Sequence, residues 1–247
     1  MEVHTHAHTE RKKLTHYFWE FFMLFLAVTL GFFVENKREH YVEHQREKQY
    51  MVSMLEDLKK DTAQINSIFN YIDNSMLPVQ QETLPLLYLD QFNDSTIRQI
   101  YALLPRSIGF VTFSFQDRTS SQLKNSGNLR LIRSAAITDS LADYWSACEL
   151  LKTQLSEGYD DTRKAAKELT FSILSLDHYE NYYPWANLKE DHKLSFLTTD
   201  KVQFRKLGNY ISNMFTQLSG PFKQNLAITK EKATGLIGMI GEEYHLE

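Results

Sequence analysis

Imidazoles, paired carboxylates, one thiol and a run of arginines are the side chains in this sequence best suited to chemistry. His4, His6 and His8 stand in the N-terminal tail with His16 beyond them, and clustered imidazoles bind zinc or copper. Their spacing fits no closed tetrahedral site, so a solvated tail with opportunistic metal affinity is expected. His40 and His44 lie four apart, as two ligands on one helix face would, with Glu43 and Glu47 around them. The full metalloprotease pattern of two histidines flanking a glutamate is absent. A solvated face with Glu–Arg and Glu–Lys pairing is the expected reading. Asp160–Asp161 and Glu242–Glu243 are sequence neighbours, so on a helix they point apart and do not form an acid/base pair. Cys148, the single cysteine, falls on an apolar seam with no base supplied by its neighbours, and reads as a small buried hydrophobe. No GxGxxG and no GxxxxGK[ST] occurs. No cofactor or metal is therefore expected.

The most distinctive stretch is Ser120 to Arg133, SSQLKNSGNLRLIR. It predicts a short helix through Leu123, a left-handed Gly127, a hand-over to Leu129, Leu131 and Ile132, and a Ser134 cap opening a long helix. Arg118, Arg130 and Arg133 are the candidate ligand or partner contacts. With helix N-terminal amides they would bind a small anion. As parts of a helix–turn–helix corner they would instead pair with carboxylates of the fold, which is the expected outcome.

The elements that must position these residues are helical. Only 9 glycines and 5 prolines occur, few for a sheet-rich chain of 247 residues. The run Tyr17 to Val34, YFWEFFMLFLAVTLGFFV, is apolar on every side apart from Glu20 and Thr29. At helical rise it spans ~27 Å, close to a bilayer core, with Tyr17 and Trp19 at one end as interfacial aromatics. Glu20 lies near the helix end, where a charge costs less than at the centre. Arg11, Lys12 and Lys13 precede the run as they would in a signal peptide. The FFVENKREH that follows has no small-x-small cleavage site, so an uncleaved anchor is expected. The basic residues flanking the run are nearly balanced. The N-terminal block is the tighter, which favours a short tail inside and the large domain outside.

From Asn36 a charged stretch leads into a heptad of Leu55, Leu58, Thr62, Ile65, Phe69, Ile72 and Met76, one seam of a helix ending before Pro78. Extrapolated backwards, the seam passes through Met51, Lys48, His44 and Tyr41 and turns polar. Short helices are expected near 79–90 and 94–104, the second capped by Asp94 or Ser95. Phe110 to Phe115 alternates like a strand but has no partner strand, and reads as an extended connection or plug. A long helix from Ser134 carries Ile137, Leu141, Tyr144, Cys148, Leu151, Leu155, Thr162, Ala166, Leu169 and Ile173, with a kink or break near Gly158. Asp177 to Phe196 reads as a loop. Helices at 199–218 and 222–244 are separated by Gly220-Pro221. Gly235, Gly238 and Gly241 mark either a close approach of another helix or a loose end.

The fold class is thus all-α. A flexible tail (1–16), a transmembrane helix (17–34), a juxtamembrane stalk (35–50) and a helical bundle (51–247) follow one another. With 43% hydrophobic and 23% charged residues a core can form, and a net charge of −4 without a basic stripe excludes nucleic acid.

Two blocks, WEFFMLFLAVTLGFFVENKREHYVEHQREKQYMVSMLEDLKKD and SSQLKNSGNLRLIRSAAITDSLADYW, resemble a family of single-span membrane proteins common in Bacteroidota, whose function is unassigned. Together they cover a quarter to a third of the chain, and neither is a catalytic signature. The aromatic-rich span and the histidine tail depart from many members. The resemblance implies a membrane-tethered helical domain and supplies no activity. The expected function is non-enzymatic: binding or scaffolding a protein partner, or a second copy of the chain, from the bacterial inner membrane. The domain would be periplasmic. The alternative is a tethered sensor of a small anion.

Overall fold

The computed structural model describes residues 14–180, 187–189 and 193–246. Its regular structure is helical, and among these residues no strand forms; isolated antiparallel bridges link Leu174 to Phe196 and Tyr179 to Leu188. The histidines of the N-terminal tail before residue 14, and part of the 177–196 stretch, lie outside the described residues. The chain divides into two compact units between Gln49 and Tyr50.

A single helix, α1 (Leu14–Tyr71), gives the first unit its residues up to Gln49 and begins with the apolar run. By length and composition α1 is a candidate membrane span, and none of its most apolar window is buried. Large side chains cover its whole circumference, with Phe18 stacked on Phe22 and Phe21 on Phe25 one turn apart. Glu20 is not a bare charge: its carboxylate lies 2.9 Å from His16 Nε2. Beyond the run, Glu35 takes both nitrogens of the Arg38 fork, at 2.5 and 2.9 Å.

In the second unit the expected seam of α1 is buried at Met51, Leu55, Leu58, Ile65, Ile72 and Met76, and half-buried at Thr62 and Phe69. Each fully buried aliphatic side chain contributes about 1.5–3 kcal/mol relative to exposure. Pro78 does not end the helical path. A π turn, Ile72–Met76, carries it into α2 (Leu77–Leu87), with Pro78 in the first turn. Proline lacks the N–H that a continuous helical path would use there, and the wide turn before it accommodates the gap. α3 (Asp94–Ser107) is capped by Asn93, whose side chain accepts from Thr96 N at 2.9 Å, and not by Asp94 or Ser95. It runs on through Pro105 in its last turns.

Residues 109–117 form no regular element; Phe110 to Phe115 alternate between exposed and buried as a strand would, and Asp117 already has helical dihedrals (φ −98°, ψ −2°). Then α4 (Arg118–Asn125), left-handed Gly127 (φ 68°) and a 3₁₀ turn (Asn128–Leu131) form the corner that the sequence predicts. Ser134 caps α5 (Ala135–Thr153), which a π turn, Gln154–Tyr159, joins to α6 (Asp160–Ile173). The irregularity expected at Gly158 is therefore a widened turn within a helical path. Gly220-Pro221 does not separate two helices either. α7 (Lys201–Gln217) passes through a third π turn, Leu218–Phe222, into α8 (Lys223–Tyr244). Proline lacks an N–H and its ring crowds the carbonyl four residues back; the wide turn accommodates both. α8 stays helical past all the late glycines, so its end is not loose.

Within this unit α5 packs on α8, α6 on α7, and α2 on both α3 and α7. Gly208 on α7 permits one close approach: a Cβ there would sit 2.9 Å from the Tyr88 ring. The aromatic stretch before α7 closes the core. Tyr101 OH donates to Ser195 O at 2.6 Å, Tyr179 OH donates to Tyr101 O at 2.6 Å, and Phe196 stacks on Tyr101.

Candidate functional site

Two features of the second unit concentrate its chemistry. The first is acidic. Asp57 and Asp61 are one turn apart on α1, among Met54, Leu58, Ile65 and Ile68, and are 2% and 1% exposed. Burying carboxylates demands partners. Thr119 Oγ1 donates to Asp57 Oδ2 at 2.5 Å, and Arg118 Nη2 lies 3.9 Å from Asp57 Oδ1. Both oxygens of Asp61 are taken, one by Gln116 N–H at 2.8 Å and one by Tyr144 OH at 2.6 Å. Burial holds the Asp61 carboxyl above the usual carboxylate range, against the lowering effect of the Tyr144 and Gln116 donors. Burial likewise pushes the Tyr144 hydroxyl far up, and the Cys148 thiol one turn on up to about 12. Cys148 is fully buried, as expected of a packing residue. These groups form a clamp that ties α1 to the start of α4 and to α5.

The second feature is the segment Phe110 to Phe115. Val111, Phe113 and Phe115 are buried while Phe110, Thr112 and Ser114 are exposed, the period of two that the sequence predicts. Gly109 is held by Tyr159 OH at 2.8 Å, and Gln116 N–H by Asp61. Between these anchors no backbone N–H or C=O of Phe110 to Phe115 is hydrogen-bonded among the described residues. Phe110, Val111, Thr112 and Phe113 form one wall of a groove of about 330 Å³ completed by Lys152, Leu155, Ser156 and Asp160. Phe110 also edges a groove of about 130 Å³ that reaches Arg163, Lys167 and Phe171. Lys152 Nζ lies 4.1 Å from the Phe115 ring centre and Arg163 Cζ 5.3 Å from that of Phe110.

The three candidate arginines fall at different points of the corner: Arg118 opens α4, Arg130 is in the 3₁₀ turn and Arg133 precedes α5. All are exposed, and the residues lining these grooves include none of them. Arg118 pairs with a carboxylate of the fold, Asp57, as the corner reading expects. On α1, His44 Nδ1 lies 3.0 Å from Glu47 and His40 Nδ1 3.9 Å from Glu43, so each imidazole has a carboxylate of its own helix. Among the described residues no three His, Cys, Asp or Glu side chains stand close enough to hold a metal. Asp160 engages Arg163 and Lys164, a surface cluster. A Cβ built on Gly235 or Gly238 would meet nothing within 4 Å among the described residues, so neither marks a close approach.

Sequence reasoning missed Asp57 and Asp61. Their i, i+4 spacing inside the stripe Met54, Leu58, Ile65, Ile68 was the available signal. Compared with protein-family models, with curated proteins and with solved structures, the chain matches none.

Proposed function

We propose that this chain is a non-enzymatic membrane-anchored helical protein that holds a protein partner at the cell envelope. The observation that carries the reading is the apolar run of α1. It is entirely unburied, and it continues without a break into side chains that are buried in the second unit. An exposed apolar surface of this extent requires a covering phase, and a bilayer matches its length and its all-round character. The two sequence blocks that resemble single-span proteins of Bacteroidota support the same arrangement. The tight Arg11, Lys12, Lys13 block favours a short cytoplasmic tail at the inner membrane and a periplasmic second unit.

Chemical crosslinking in intact membranes, followed by purification of the chain, tests the partner. A specific protein retained in stoichiometric amount is expected, and its absence across crosslinkers of several lengths overturns the reading. Reporter fusions after Glu247 test the orientation. Activity of an export-dependent reporter is expected, and activity of a cytoplasm-only reporter reverses the topology.

A further inference from the structure

We infer that the partner is an acidic, extended peptide segment that adds as a β-strand to Phe110–Phe115; the inference rests on the partner-binding reading above. Six consecutive residues alternate between buried and exposed, as in a sheet, in a unit whose described residues form no sheet. A lone strand is marginal in water and normally finds a neighbour. Here it is pinned at both ends, by Tyr159 OH on Gly109 and by Asp61 on Gln116 N–H, so its strand-like alternation exists before any partner arrives. Strand addition to such a pre-ordered edge takes affinity from main-chain hydrogen bonds and specificity from pockets for alternate side chains.

Both ingredients are present. The N–H and C=O groups of Phe110 to Phe115 are unbonded among the described residues. The groove of about 330 Å³ beside Phe110, Val111, Thr112 and Phe113 offers Leu155 as its apolar floor. Charge selects the peptide. The residues lining the two grooves bring Lys152, Arg163 and Lys167 against Asp160, which Arg163 and Lys164 engage at 2.7 and 3.0 Å, while Lys152 lies 3.3 Å from Glu149; the cations still outnumber these two carboxylates. The edge is thus cationic, and the complementary strand alternates acidic side chains with small apolar ones.

The test uses the full chain in detergent micelles and a labelled hexapeptide alternating glutamate and valine. Saturable binding is expected, with slowed amide exchange at alternate positions across Phe110–Phe115. N-methylation of every second peptide nitrogen should weaken binding by at least about tenfold, the equivalent of one or two lost hydrogen bonds. Lys152→Glu combined with Lys167→Glu should invert the preference toward a lysine–valine hexapeptide. Absence of saturable binding overturns the proposal. So does equal binding of the N-methylated peptide, or peptide binding that leaves exchange in Phe110–Phe115 unchanged. A crosslinked partner retained equally by the double charge variant removes strand addition and leaves the partner-binding reading standing. Loss of the partner from the double variant alone supports strand addition, and absence of any crosslinked partner of the parent chain removes both.

Discussion

At the scale of single residues, the buried acids on α1 are the sharpest test of the structure. Asp61 accepts from Gln116 N–H and Tyr144 OH, so Asp61→Ala strands two buried donors. A loss of about 2–4 kcal/mol in urea unfolding is expected. Asn at the same site keeps an acceptor for Gln116 and offers an N–H to the Tyr144 oxygen, so Asp61→Asn should stay within about 1 kcal/mol of the parent. The comparison depends on pH. The Asp61 carboxyl is raised in the folded state, chiefly by burial, so between its unfolded and folded values the folded chain holds the extra proton. Relative to Asp61→Asn, the parent is therefore most stable below about pH 4 and loses that advantage as pH rises through the raised value. Unfolding curves for both proteins from acid to neutral pH check the sign. Cys148, with its thiol pushed up to about 12 and no exposed surface, should resist alkylation until the protein unfolds. The seam showed Cys148 as a packing residue in the sequence. The two aspartates did not stand out, because acids in a charged helix read as solvated; their i, i+4 spacing in the apolar stripe hints at burial, and the donors Thr119, Gln116 and Tyr144 account for it.

At the scale of elements, helix starts carry measurable differences. Asn93 and Asp200 accept from the first-turn amides of α3 and α7 at 2.9 Å, whereas Ser134 accepts from Ile137 N–H at 3.5 Å. Alanine at Asn93 or Asp200 should cost about 1 kcal/mol each, and at Ser134 distinctly less. Calorimetric melting separates them. Gly127 has open space around its Cα but a φ of 68°, so Gly127→Ala should cost about 1 kcal/mol through the backbone alone. The short helix, the left-handed glycine and the Ser134 cap of this corner were legible because each has a local chemical cause, whereas the 3₁₀ turn between them was not. The joins at Pro78 and at Gly220-Pro221 were not. Proline and glycine ordinarily end helices, and nothing local distinguishes a break from a π turn whose downstream helix is held by packing, as α8 is by α5.

At the scale of the whole molecule, the apolar run dictates behaviour in the cell. The full chain should sediment with membranes and resist alkaline carbonate, and a variant lacking residues 14–34 should be released by the same wash; equal extraction of both would count against the anchor. The all-helical class followed from composition and period, and the single-span reading from one uninterrupted apolar stretch. The strand-like alternation of Phe110–Phe115 was legible, but its two anchors come from residues far away in the chain. The π turns carry a different implication, one of angular phase. Each inserts an extra residue into an otherwise regular helix, and the side chains beyond it, Leu226, Thr229, Ala233, Leu236 and Ile240 on α8, face inward only with that residue present. Deleting Ser219 would swing this stripe through about 100° about the helix axis and turn it away from α5. The non-helical segments absorb changes in length by bowing outward. The π turns translate the same changes into rotation, so at these joins the residue count itself, more than the identity of any residue, is what the fold holds fixed.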